Sequence, residues 1–193
     1  TSIRMNFLEE AYEAVDALDL DDPVLMCEEL GDVLMQVAFH TCMEQETGRF
    51  TWEQVCDGVC QKLIERHPNI FGTQPGYEGI TDWDALKNKE KGRRTLADDL
   101  ESVPRAMPAL MRAAKLQKRA ARHGAALQGA DAAALADAAE NLQTAQPASA
   151  QAEQAVGELL FAAANLARQA GVDPEQALQK ANEAFCTAAG PVA

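Results

Sequence analysis

The chain has no Gly-rich loop running into Lys-Ser or Lys-Thr, which excludes a P-loop. None of its three histidines, His40, His67 and His123, has a glutamate three residues before it. The Glu-x-x-His pairs of a di-iron carboxylate bundle are therefore excluded as well. The five cysteines (Cys27, Cys42, Cys56, Cys60 and Cys186) are odd in number and form no Cys-x-x-Cys pair. Such usage argues against a disulfide framework and for reduced thiols in the cytoplasm. No run of about 18 apolar residues occurs and no signal peptide is visible, so no membrane span is expected. Basic residues are few: 17 Lys and Arg stand against 30 Asp and Glu, a net charge of −13. That balance argues against a general nucleic-acid binder.

What the chain does have is acid in a repeated spacing. Glu10 and Glu13 form one pair, and Glu29 and Asp32 form another with the same separation of three. That separation puts both members of a pair on one helix face, roughly 60° apart around the axis. Between the pairs, Asp22 followed by Pro23 reads as an N-cap with proline at the first helical position. The stretch from Met5 to Cys42 is thus expected to be two helices joined by a short acidic turn, antiparallel to one another. Folded back, the hairpin aims four carboxylates at one point, where they repel unless a cation sits between them. The pairs lie among apolar residues: Met5, Leu8, Val15 and Leu18 on the first helix, Leu30, Val33, Leu34 and Val37 on the second. Acids beside a core-facing stripe need compensation. An all-oxygen, histidine-free set suits a hard divalent ion, Mg²⁺ first and Mn²⁺ second.

Further along, Gly48 ends the second helix, and Thr51 with Gln54 makes a capping box for a third that stops near His67, before Pro68. Lys62 and Arg66 lie four apart on that third helix. They read either as a solvated basic edge favoured by the helix dipole or as a phosphate grip. Residues 68–81 form a long Pro- and Gly-rich loop, a lid candidate. Thr81 with Asp84 opens a short helix holding Trp83 and Lys87; Trp83 is a core anchor or a stacking platform. A basic helix from Pro108 to about His123 reads as a connector.

From Ala125 the composition turns alanine-rich, and a faint repeat emerges. Gly31-Asp32-Val33-Leu34-Met35 is echoed by Gly157-Glu158-Leu159-Leu160-Phe161, and Gln61-Lys62 by Gln179-Lys180. Opposite Glu10 and Glu13 stand Asp137 and Glu140; opposite Glu29 and Asp32 stand Ala155 and Glu158. Ala155 offers no ligand, so the second copy is expected to be structural. With 193 residues, 47% of them hydrophobic, there is length for both.

Glu9-Glu10-x-x-Glu13 followed by Glu29-x-x-Asp32 resembles the MazG family of nucleoside triphosphate pyrophosphohydrolases. So do Gly48-Arg49-Phe50, the run from Lys62-Leu63 through Arg66-His67-Pro68 to Phe71-Gly72, the stretch Pro104 to Lys118, and Leu178 to Glu183. The resemblance implies an all-α fold of helical bundles, completed by homodimerisation. It implies Mg²⁺-dependent cleavage of an NTP or dNTP to the monophosphate and pyrophosphate. Glu10, Glu13, Glu29 and Asp32 would be metal ligands, and Glu9 would orient or deprotonate the attacking water. Lys62 and Arg66 would hold phosphates, with Trp83 and Lys87 near the nucleoside. The family's Cys-Pro-Trp-Asp segment ahead of the first helix is absent, and Thr1 already stands at a helix approach, so a further N-terminal piece is expected. The expected organisation is an acid-bearing unit at 1–95, a basic helical connector at 96–124 and a degenerate second unit at 125–193. A catalytically silent, nucleotide-binding or regulatory chain is the alternative.

Overall fold

The computed structural model describes residues 2–71, 91–92 and 95–190, and among them the fold is all-helical. The chain divides into two compact units, Thr1–Trp83 and Asp84–Ala193. In the first, α1 (Ser2–Leu20) and α2 (Pro23–Glu46) form a hairpin, followed by α3 (Trp52–Arg66) and the single turn α4 (Pro68–Phe71). In the second lie α5 (Leu96–Glu101), α6 (Ala109–Arg122), α7 (Ala132–Thr144), α8 (Ala150–Gln169) and α9 (Pro174–Ala189). No helix among the described residues is long and apolar enough to cross a membrane.

Local chemistry sets these boundaries. Asp22 Oδ1 accepts from the Val24 and Leu25 N–H groups at 2.9 and 3.2 Å, which caps α2 with Pro23 at its first position. Gly48 takes φ +69° just beyond α2, a left-handed conformation that a side chain would strain. The Thr51–Gln54 capping box opens α3 in both directions, at 2.9 and 3.4 Å. Its own backbone N–H and the Thr51 hydroxyl hold Glu53 below the ordinary carboxylate range.

The α1–α2 seam closes on small residues. Ala14 and Ala17 are buried, together with Gln36 and Thr41, and alanines of this kind let two helices approach closely. Part of the apolar stripe expected to face a core faces outward instead, while Leu8, Val33 and Val37 are partly buried. Met5, Val15, Leu18, Leu30 and Leu34 are all roughly half exposed, and α3 has no buried residue. The reason is geometric: three helices in contact along one hairpin do not enclose a stripe on the hairpin's far side.

The second unit has a fuller interior, again of alanines, with Val103, Ala120, Ala130, Ala138, Ala155, Ala162 and Ala164 buried. Polar side chains tie its helices together. Gln117 donates to the Phe161 carbonyl at 2.7 Å, and Asn165 to the Ala130 carbonyl at 2.6 Å. Asp99 on α5 is 1% exposed and gathers three partners from the end of α6. Its carboxylate meets Arg119 at 3.1 Å, Arg122 at 3.3 Å and His123 at 3.2 Å. Arg119 also donates to the Asp99 carbonyl at 2.5 Å and to the Ser102 hydroxyl. Residues 96–124 therefore pack inside the second unit. Asp137 of α7 and Glu158 of α8 line a shared cavity, and Ala155 is buried.

Candidate metal centre

The α1–α2 hairpin runs antiparallel, since Glu10 meets Gln36 while the later Glu13 lies by the earlier Glu29. Its tight two-residue turn, with Asp21 at φ +53°, fixes this register. One oxygen each from Glu10, Glu13 and Glu29 lies within 4.8 Å of the other two. Opposite ligands of a six-coordinate divalent ion stand roughly 4.2–5 Å apart, twice the metal–oxygen distance, so the three oxygens fit one coordination sphere. Among the described residues, no other group of three His, Cys, Asp or Glu side chains gathers this closely. Asp32 stays outside that group, although it is half-buried one turn beyond Glu29.

The electrostatics are those of crowded carboxylates. Glu29 is raised above its ordinary value of 4.5, by partial burial first and then by the charges of Glu13, Asp32, Glu28 and Glu10. The folded state then holds its proton to higher pH than the unfolded chain does. Ionising Glu29 therefore works against the metal-free fold as pH rises above the ordinary value. A bound divalent ion reverses that sign, because it favours the ionised form. With oxygen donors alone, the residues fit a hard divalent cation.

Around the cluster, Glu9 is exposed on α1, displaced by one residue from Glu10. Lys62 and Arg66 ride one turn apart near the end of α3, which packs on α2; Lys62 is exposed and Arg66 half-buried. Trp83 and Lys87 lie outside the described residues. A further polar partner escaped the sequence reading. Gln36, only 4% exposed, donates its amide to Glu10 at 3.3 Å. Its signal was present, because a glutamine seven residues after Glu29 returns to the same helix face. Gln36 orients a ligand without adding charge. Gln36→Leu is expected to weaken divalent-metal affinity about tenfold, as loss of an outer partner typically does. Calorimetric titration of the metal into both proteins checks this.

Residues 1–71, which carry the three-oxygen cluster, match the model of the MazG nucleotide pyrophosphohydrolase domain. A nucleoside triphosphate pyrophosphohydrolase of Escherichia coli is 39% identical over 187 residues, covering 92% of this chain and 71% of that protein. The chain belongs to the MazG family. A Thermotoga maritima relative, a nucleoside triphosphate pyrophosphohydrolase/pyrophosphatase MazG, is 37% identical over 186 residues, or 95% of this chain and 72% of that protein. The Mycobacterium tuberculosis nucleoside triphosphate pyrophosphohydrolase is 36% identical over 127 residues, 64% of this chain and 38% of that protein. Within this MazG chain, the family match spans α1 through α4, so it takes in Lys62 and Arg66 along with all four acids.

Proposed function

We propose that the chain is a nucleoside triphosphate pyrophosphohydrolase that cleaves between the α and β phosphates and releases a nucleoside monophosphate and pyrophosphate. One observation carries this reading: three carboxylate oxygens within 4.8 Å of one another, on the helix hairpin of a MazG domain. In this reading Glu10, Glu13, Glu29 and Asp32 would hold Mg²⁺. When bound, the cation neutralises phosphate charge and orients the anhydride for in-line attack. Glu9 takes the proton of the attacking water or orients it. Lys62 and Arg66 draw charge off the departing pyrophosphate, with Arg66 suited to paired hydrogen bonds. Trp83 and Lys87 contact the nucleoside. The test is turnover of a panel of NTPs and dNTPs with Mg²⁺ and with chelator. Release of monophosphate only with metal supports the reading. Nucleotide binding without turnover would favour a silent, regulatory chain, for which the loss of a ligand at Ala155 in the second unit is the supporting observation.

The working form is a homodimer. Half-exposed Met5, Val15, Leu18, Leu30 and Leu34 leave apolar surface on the hairpin uncovered. A second copy of the hairpin covers it and completes a four-helix arrangement. Leu34→Glu sets a charge into that face in both protomers. It is expected to raise the dimer dissociation constant tenfold or more, about 1.4 kcal/mol, read by sedimentation equilibrium. Five free, exposed thiols suit the reducing cytoplasm, and a net charge of −13 disfavours nucleic acid as a partner.

A further inference from the structure

In a chain of net charge −13, cations gathered at one place call for explanation. Lys115, Lys118, Arg119 and Arg168 line a single cavity of about 560 Å³ in the second unit, between α6 and the α8–α9 turn. That volume lies within the range of small-molecule sites, about 300–1,000 Å³. Lys115 and Lys118 sit three residues apart on α6 and so share a face, separated by about 4.5 Å along the axis.

The four are not equivalent. Arg119 is committed to Asp99, at 3.1 Å. Arg168 is positioned by its Nε, which donates to Asn165 Oδ1 at 2.9 Å, and Asn165 is itself fixed by its bond to the Ala130 carbonyl. The terminal nitrogens of Arg168 remain for a ligand. Lys115 and Lys118 form no ion pair among the described residues, and both ammonium groups are exposed. The wall holds one carboxylate, Asp173, whose Oδ1 is engaged by the Glu175 and Gln176 N–H groups at 2.9 and 3.1 Å. Glu175, nearby on α9, accepts from the Met111 N–H at 3.1 Å. Both acids are thus used at helix ends, and three cations face the cavity against one capping carboxylate. Met111, Val172 and Pro174 supply an apolar side.

We infer that this cavity is an anion site for a condensed phosphate, separate from the acid cluster of the first unit and independent of metal. Cations from two helices spaced along one cavity suit neighbouring phosphoryl groups better than a single charge. A long polyanion is disfavoured, because the surrounding chain is acidic. The inference holds whether or not the first unit hydrolyses nucleotides.

The test is calorimetric titration of inorganic pyrophosphate into the full chain with excess EDTA, where the acid cluster has no cation to attract an anion. One saturable site per chain is expected. Lys115→Gln/Lys118→Gln should weaken it at least tenfold with the melting temperature unchanged, and Arg168→Gln should do so independently. Glu13→Gln should leave it as it is. Inorganic triphosphate binding as tightly as ATP supports a site for the phosphate chain itself. No saturable pyrophosphate binding, binding indifferent to both sets of variants, binding of ATP but not of inorganic triphosphate, or binding of an RNA oligonucleotide alone would each overturn the assignment.

Discussion

Glu13→Gln is expected to lower pyrophosphate release from nucleoside triphosphates by about a hundredfold or more, some 2.7 kcal/mol in the barrier. Glu140→Gln, at the echoed position on α7, should leave the rate unchanged. The asymmetry follows from what each glutamate has around it. Glu13 shares a 4.8 Å cluster with Glu10 and Glu29, so under the proposed function its charge is one of three available to hold a divalent cation. An amide keeps the shape and loses the charge. Two carboxylates remain, and hard divalent ions bind such depleted sites with several waters in place of protein ligands. Glu140 has no comparable neighbours, because the position matching Glu29 is the buried Ala155. Loss of activity in Glu140→Gln alone would move the chemistry to the second unit.

Asp99→Ala should destabilise the second unit by about 3–5 kcal/mol, the usual cost of removing one member of a buried ion pair. The side chains of Asp99 and Arg119 are 1% and 7% exposed, so solvent screens little of the charge left behind. The same carboxylate also anchors Arg122 and His123, which makes it the joint between α5 and the C-terminal turn of α6. Denaturant unfolding, with α-helical signal followed against urea, reads the change as a lowered midpoint. A shift below about 1 kcal/mol would mean the cluster is held by backbone packing rather than by charge.

The acid-bearing hairpin is legible in the sequence because its signals are local. Asp22-Pro23, the Thr51–Gln54 box and the three-residue acid spacing each act within one turn, and each appears in the structure at its expected place. What was not legible depends on distance. Nothing in the spacing of Leu30 and Leu34 distinguishes a stripe facing a core from one facing outward, since both have the same periodicity. Gln36 meets Glu10 across the hairpin, a contact that only the hairpin register reveals. Asp99 carries no distinguishing local signal in the sequence. Its burial depends on residues 20 to 24 positions later, which sequence patterning does not reach. The basic helix α6 reads from the sequence as a connector lying against an acidic remainder; its packing within the second unit sets Lys115 and Lys118 along one cavity with Arg168.

The central claim is that the acid-bearing hairpin directs hydrolysis to one anhydride bond. The most direct measurement is chromatographic identification of both products from each nucleoside triphosphate in the panel, with Mg²⁺ present. Equal amounts of monophosphate and pyrophosphate are predicted, disappearing with chelator. Nucleoside diphosphate with orthophosphate, or no product from any nucleotide, would contradict the account.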